Sequence, residues 1–546
     1  MGADCGFQAG RAAAQGHGKT QGMSFCVSRI QQGIDTQNGD RKKMSDKHIA
    51  VVGAGPGGLT AAMILSHRGF KVSVFEARSR VGGRNGCVEI GPYRFDTGPT
   101  FLMLKSVLDE VFTEGGTRIE DVLDMRKIDP MYRLVFKDKQ INPSSNPEQM
   151  KNEIARVFPG RENRYDAFYR REQTRFRYLF PCLQKSYHQL RTMLSPSLFK
   201  AIPHLALGKS LYDVMYDVFG DEDLALSFTF QAKYLGMSPW DCPGLFSIIP
   251  YIEHAFGIYH PIGGLSRISD AMADIARNNG AEIHLDAPVK RILVKNGAAQ
   301  GVELAGGDVI EADDVIINAD FAHAATRLFE PGVLRKYTPA RINRMHFSCS
   351  TYMMYLGLDK SWDMPHHAIF FAENYRRNVE DVFHGGGLSD NISFYIRNAT
   401  VTDPDLAPKG HSAAYILVPV PNLKSGIDWE KQSDQFREIV LRNIETRSEM
   451  KDIRQHIREE HVITPANWQD AYHVFNGATF NLTHNLGQMI YLRPRNKFED
   501  LEHCYLVGGG THPGSGLPTI YESGRIAANL ISRACGTTFV SGNLEV

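Results

Sequence analysis

The residue types able to do chemistry gather in glycine-rich turns. The first is Gly53-x-Gly55-x-x-Gly58, followed 18 residues later by an acid, Glu76. In this spacing one glycine makes a tight turn, one lets backbone approach a pyrophosphate, and one lets a helix pack closely on a strand. A carboxylate at Glu76 can accept hydrogen bonds from the ribose hydroxyls of an adenine nucleotide, and an acid there favours FAD or NAD over NADP. The chemistry indicated is dinucleotide-dependent electron transfer.

Two further segments favour FAD. Arg78–Arg84 (RSRVGGR) pairs Gly82 and Gly83 with Arg84 soon after Glu76. It resembles the second phosphate-contacting element of the flavin amine-oxidase and carotenoid-desaturase superfamily; taken alone, it also reads as a flexible loop with a solvated arginine. Hundreds of residues later, Tyr505–Gly510 (YLVGGG) forms a short apolar strand pattern. Thr511–Pro518 follows, and then a helical pattern from Thr519 to Ile531. A second glycine turn so far from the first suits a cofactor too long for one turn to hold, and its helix N-terminus would stabilise negative charge on a reduced flavin ring.

The elements that must position these residues begin with HIAVVGAGPGGLTAAMILSHRGFKVSVFEA from His48. Its pattern predicts a strand over Ile49–Val52, a glycine turn, a helix and a second strand over Val72–Phe75, which is a βαβ start. The chain has 546 residues, with 61 Lys+Arg against 61 Asp+Glu. That balance argues against nucleic acid as a partner. The length allows about two to four domain-sized units. Eight scattered cysteines without a C-x-x-C pair read as reduced packing thiols of a cytosolic protein. No apolar run reaches the length of a membrane span, so any membrane contact is expected to be peripheral. Residues 1–46 are expected to be a disordered extension, with Met44 a candidate start; Gly6 stands where a myristoylation signal wants Ser or Thr. Zincin, serine-hydrolase and P-loop signatures are absent from the sequence.

Further motifs, in order, are Arg94–Thr100 (RFDTGPT), Tyr259–Arg267 (YHPIGGLSR), Ile316–Asp320 (IINAD), Ala399–Pro408 (ATVTDPDLAP), Val418–Pro421 (VPVP) and Gly510–Pro518 (GTHPGSGLP). With these the chain resembles the bacterial phytoene desaturase family, which includes dehydrosqualene desaturases and terminal-methyl carotenoid oxygenases, from about Lys47 to Cys535. It departs from the superfamily's amine oxidases at Gly510, where they usually carry an acid; the carotenoid branch shares that loss. The resemblance implies an α/β fold, with a Rossmann-like FAD domain built from 47–105, 262–330 and 495–540 around a mixed sheet. Segments 106–261 and 331–494 would form an α+β substrate and membrane-associating domain. FAD contacts are expected at Gly53, Gly55, Gly57, Gly58, Glu76, Gly83, Arg84, Pro99, Thr100, Val289, Gly509, Gly510 and Leu517.

The implied activity is desaturation of a carotenoid precursor such as phytoene or dehydrosqualene, by hydride transfer to flavin, with oxygen or a quinone taking the electrons. A terminal-methyl oxygenase or a carotene isomerase would use much the same scaffold, and a non-catalytic prenyl-lipid carrier resembling Rab escort proteins is the alternative from another class. His512 is the candidate catalytic side chain, able to relay a proton beside the flavin or simply to hold its turn. No metal site is expected: His366 and His367 are adjacent, and strand alternation would point them to opposite faces. Phe228–Tyr234, Phe246–Tyr259 and Tyr352–Tyr355 read as tunnel lining or as ordinary core. Phe176–Phe219 alternates apolar clusters (Tyr178-Leu179-Phe180, Leu194, Leu198-Phe199) with Arg175, Arg177, Lys185, Arg191, Lys200 and Lys209. That pattern suits helices on an anionic surface or a solvated face of the core. The expected location is cytoplasmic, at the inner face of a membrane.

Overall fold

A computed structural model describes residues 47–385, 387–537 and 539; the expected extension over 1–46 lies outside them. The β-branched run after Lys47 forms the strand His48–Val52, buried from Ile49 onward. It is the middle of a five-stranded sheet ordered Cys504–Leu506, Asp314–Ile317, His48–Val52, Lys71–Phe75, Glu282–His284. Every pairing in it is parallel, so the sheet is not mixed as expected. Antiparallel pairing sits instead in a separate sheet of Val289–Lys295, Ala298–Leu304 and Val309–Glu311. Its first hairpin turns at Asn296-Gly297, both at positive φ, which closes a two-residue loop in the sense that suits twisted strands.

The helix Pro56–His67 follows the first strand and is buried from Gly57 to Ser66. A helix apolar on all sides needs cover on all sides. The helices Ser266–Asn278 and Leu517–Ala534 supply it. The latter comes so close that a Cβ on Gly524 would stand 2.4 Å from the Gly57 carbonyl oxygen. An early and a late helix of the described residues are thereby packed together.

The second large sheet has seven strands, ordered Ile457–Ile463, Ser350–Leu358, Ser412–Val420, Phe394–Asn398, His367–Phe370, Arg133–Val135, Gln140–Ile141. All nine residues of Ser350–Leu358 are buried, and they alternate between two cores. Tyr352, Met354, Leu356 and Leu358 face the helix Trp429–Arg447, while Met353 and Tyr355 join the main core. From that inner face the Tyr355 hydroxyl donates to the Thr97 carbonyl, and Tyr415, its cross-strand partner, donates to the Gly98 carbonyl at 2.7 Å. The seven-stranded sheet thus holds the RFDTGPT segment in place, and the described residues from Lys47 onward form one compact unit.

Helices Pro196–Ala201 and Leu211–Phe219 pack against the long helix Glu162–Leu183. The basic and apolar residues there sort less simply than the sequence pattern implied. Arg175 is buried, donating to Glu172 at 2.7 Å and to Ser247, so it is not a surface cation. Leu179 and Leu198 face the core, because the 3.6-residue period turns them inward. Leu194 and Phe199 are exposed, together with Leu190, Ile202 and Leu207.

Candidate active site

A cavity of about 230 Å³ opens where the strands of the parallel sheet end, lined by Val52, Phe75, Asn318 and Gly508 at those ends. Ligands of open α/β sheets bind at this edge, where the strand order reverses. Gly53 has φ +94°, and a Cβ on it would lie 2.8 Å from the Asn318 carbonyl oxygen. A Cβ on Gly55 would lie 2.8 Å from Asn318 Nδ2, and one on Gly58 would lie 2.3 Å from the Gly53 carbonyl oxygen. The first two glycines therefore keep the turn open toward the cavity, and the third lets helix and turn pack. Glu76 braces the same turn: its Oε2 accepts from the Ala54 N–H at 2.7 Å and its Oε1 from the Arg78 N–H at 3.0 Å.

Both helices that open on the cavity, Pro56–His67 and Leu517–Ala534, lack a side-chain cap and any acid in the first turn. Elsewhere Asn146, Ser210, Asp428 and Thr464 cap their helices. The uncapped first-turn N–H groups and the positive dipole ends are left for an anionic ligand. A cradle that any Cβ would fill, an acid beside it and two such helix ends fit FAD.

Of the expected contacts, Gly53, Gly55, Glu76, Gly83, Arg84, Pro99, Val289, Gly509 and Leu517 line this cavity. Gly57, Gly58, Thr100 and Gly510 do not. A Cβ on Gly57 would meet Asn318 Oδ1 at 2.9 Å, and one on Gly510 would meet Phe321 Cβ at 2.6 Å, so these two glycines serve close packing behind the lining. Arg84 is held by the Thr479 carbonyl at 2.5 Å and by Asn481 Oδ1 at 3.2 Å, and burial lowers its pKa. His512 also stands outside the lining. Its Nε2 donates to the Lys185 carbonyl at 2.9 Å, and burial pushes its pKa down to about 3.

Sequence reasoning missed Asn318 and Asp320 as lining residues although it had singled out their motif. It also missed Pro288, Tyr472 and His473. The last two carried no glycine signal. Tyr472 lies under Arg78, whose guanidinium stands 4.0 Å from the ring centroid, and His473 stacks on His323 at 4.8 Å.

Three motifs far apart in sequence converge around the buried Arg397 and His260. Asp96 of RFDTGPT pairs with the buried Arg397 at 2.8 Å and accepts from the Ser266 N–H at 2.9 Å. Asp403 of ATVTDPDLAP accepts from the Gly263 N–H at 2.7 Å and from His260 Nε2 at 3.0 Å. Arg397 then donates to His260 Nδ1 at 3.1 Å, so the partners assign the imidazole proton to Nε2. Burial keeps His260 neutral by lowering its pKa. Burial works to raise the Asp403 pKa, but the hydrogen bonds from His260 and Gly263 hold it below the usual carboxylate range.

His366 and His367 belong to the same network, with ring centroids 4.3 Å apart rather than on opposite faces. His366 precedes the strand His367–Phe370 and so escapes its alternation. His366 Nδ1 meets Thr402 Oγ1 at 2.8 Å, and His367 Nδ1 meets the Tyr395 hydroxyl at 2.7 Å. That hydroxyl donates to Thr100 Oγ1 at 3.0 Å.

The flavin containing amine oxidoreductase family matches residues 56–532. A 4,4'-diapophytoene desaturase (4,4'-diapolycopene-forming) of Methylomonas sp is 51% identical over 487 residues, covering 89% of this chain and 95% of the relative. An all-trans-zeta-carotene desaturase of Myxococcus xanthus is 38% identical over 514 residues, covering 90% and 94%. Among solved structures, cyclohexylamine oxidase from Brevibacterium oxydans IH-35A shares the fold, with a TM-score of 0.58 at 17% identity over 90% of this chain and 100% of that one. Matches of this length on a dinucleotide cradle of this form place the chain in the flavin-containing amine oxidoreductase family, in its bacterial carotenoid-desaturase branch, as an FAD-dependent oxidoreductase.

Proposed function

We propose that this protein desaturates an acyclic carotenoid precursor, and that the precursor is 4,4'-diapophytoene. The observation that carries the reading is what lies behind the cofactor cavity. Past Pro99 and Thr100 the interior is aromatic: the Phe101 ring stacks on His367 at 4.3 Å and neighbours Tyr132, Tyr234 and Tyr395. Such a lining favours a polyene over a polar metabolite. The relative at 51% identity, named for 4,4'-diapophytoene, supports the choice of substrate.

The first-turn N–H groups at Gly57 and Gly58 and those opening the helix at Leu517 would hold the pyrophosphate and the flavin's pyrimidine edge. Glu76 would take the ribose and Arg84 would back the phosphates. Bound FAD supplies a two-electron acceptor for hydride. The Asp96–Arg397–His260–Asp403 network keeps the loops carrying Pro99 and Gly263 in place under it. His512 acts by position, tying the last glycine turn to the Lys185 carbonyl. Oxygen or a quinone is the proposed electron acceptor, and the division into an FAD region (47–105, 262–330, 495–540) and a substrate region (106–261, 331–494) is part of the same reading.

A hydrocarbon substrate dissolves in bilayers, and among the described residues no helix is long and apolar enough to cross one. Peripheral contact is proposed through exposed Leu190, Leu194, Phe199, Ile202 and Leu207, fringed by exposed Arg191, Lys200 and Lys209, on the cytoplasmic face. Beside them an open groove of about 330 Å³ lined by Leu205, Leu207, Trp240, Pro243 and Leu486 offers an entry. Co-expression of the chain with a 4,4'-diapophytoene synthase or a phytoene synthase, followed by pigment extraction, tests the reading. Newly conjugated C30 polyenes are expected. Conversion of phytoene alone would overturn the substrate, and colourless cells with both would overturn the activity.

A further inference from the structure

Desaturation has a proton half that bound FAD does not supply. Once hydride has left one carbon, the neighbouring C–H bond must break: its electron pair becomes the new π bond, and its proton needs an acceptor. Among the described residues, the substrate body holds one carboxylate placed for that task and used for nothing else described above. Glu253, on the helix Ile248–Phe256, has no exposed surface. Its Oε2 accepts from the Tyr132 hydroxyl at 2.9 Å and from Gln231 Nε2 at 2.7 Å. Its other oxygen, Oε1, closes no hydrogen bond. Neither does Gln231 Oε1 beside it.

This cluster adjoins the aromatic interior behind the cofactor cavity. Tyr132 meets the Phe101 ring at 6.1 Å and Phe230 at 5.0 Å, and Tyr234 meets Phe101 at 5.4 Å. Phe101 follows Thr100, and the helix carrying Glu253 runs on into Ile258–Pro261 and the Gly263-Gly264 loop. A buried carboxylate usually sits against a cation or several N–H donors. Glu253 has only neutral neighbours, Tyr132 and Gln231 on Oε2 and the Tyr234 hydroxyl as a third that lowers the carboxyl's pKa, and no cation, which is unfavourable for stability and appropriate for a base.

We propose that Glu253 is the catalytic proton acceptor of the desaturation, with Oε1 taking the proton and Tyr132 and Gln231 holding Oε2. The inference rests on the desaturase reading above. The titratable groups facing Glu253 are Tyr132, before the strand Arg133–Val135, and Tyr234, on the turn Phe230–Leu235, with Tyr165 of the helix Glu162–Leu183 behind Tyr132. Burial holds all three phenols well above their ordinary range, so none ionises near neutrality. Burial also raises the Glu253 carboxyl to about 7, against hydrogen bonds that lower it. It is therefore ionised above about pH 7 and becomes neutral below it. A base near the working pH is the efficient one.

The test follows bleaching of the flavin of the full-length holoprotein, anaerobically, on mixing with phosphatidylcholine vesicles carrying 4,4'-diapophytoene. In the wild type the rate should rise with pH through about 7. Glu253→Gln should retain the oxidised flavin spectrum, slow bleaching by about 10²- to 10⁴-fold and lose that pH dependence. Tyr132→Phe, which removes a hydrogen bond favouring the ionised carboxyl, should move the midpoint upward. Independently of turnover, the infrared C=O stretch of a protonated carboxyl should titrate near neutrality in the wild type and be missing from Glu253→Gln. Wild-type bleaching that Glu253→Gln leaves at full rate overturns the inference while sparing the desaturase reading. If Glu253→Gln does not fold, a flat wild-type pH profile or an unmoved Tyr132→Phe midpoint overturns it equally. A wild-type flavin that never bleaches overturns the reading itself, and the inference falls with it.

Discussion

The cofactor cleft and the aromatic interior behind it are built by opposite means. The cleft is made of backbone: glycines that admit no Cβ, and helix ends without side-chain caps. The interior is made of side chains, Phe101, Tyr132, Gln231, Tyr234, Glu253 and Tyr395, brought from segments nearly 300 residues apart. A backbone site needs particular residues at fixed local spacing, because only glycine leaves room and only neighbours share a turn. A side-chain site needs only that the fold deliver suitable groups to one place, so it leaves no contiguous pattern.

The largest effect that would sharpen this contrast is at the cleft. Gly55→Val sets a branched side chain where even a Cβ lies 2.8 Å from Asn318 Nδ2. The purified variant should carry no flavin, while circular dichroism still reports a folded chain. Full flavin occupancy would put the cofactor elsewhere.

Arg397→Met probes the polar network joining the two regions. It leaves Asp96 buried without its cation, and breaking a buried pair from one side costs about 3–5 kcal/mol. Chemical denaturation should show that loss together with weakened flavin binding. An unchanged unfolding midpoint would mean that the network does not hold the loops.

Glu76→Ala should be milder. It removes charge-assisted hydrogen bonds to the Ala54 and Arg78 N–H groups and any to the ribose, worth about 1.5–3 kcal/mol. The FAD affinity measured by fluorescence should fall about 10- to 100-fold. Unaltered affinity would remove Glu76 from the site.

Much of this contrast was already visible in the residues. The strands over Ile49–Val52 and Val72–Phe75 each start one residue earlier in the structure, and the closing helix extends to Leu517–Ala534. Local periodicity fixes such elements. Asn318 escaped as a lining residue because its role is to fill the space that the glycines vacate, which only the paired strands reveal. Tyr472 and His473 escaped because they reach the cleft from the far side of the chain's middle. His512 carried the motif's chemistry on paper, and in the structure its Nε2 donates to the Lys185 carbonyl while Nδ1 meets no partner. Arg175 read as a surface cation because sequence cannot show that Glu172, one helical turn away, is buried beside it.

The smallest structural effect is expected at the surface. Leu190→Ser combined with Phe199→Ser alters exposed side chains, so stability should move by no more than about 0.5 kcal/mol. Partition onto anionic vesicles, followed by sedimentation, should still fall by at least about a hundredfold, since two apolar side chains withdrawn from lipid forfeit about 1.5–3 kcal/mol each when fully buried and every 1.4 kcal/mol is about tenfold. Equal partition of variant and parent would place the membrane face elsewhere.

The most direct measurement of the central claim is an anaerobic titration of the purified full-length holoprotein with 4,4'-diapophytoene in vesicles, reading flavin absorbance and polyene absorbance together. The account predicts one flavin bleached for each double bond formed. A flavin that stays oxidised while the polyene remains unchanged would contradict it.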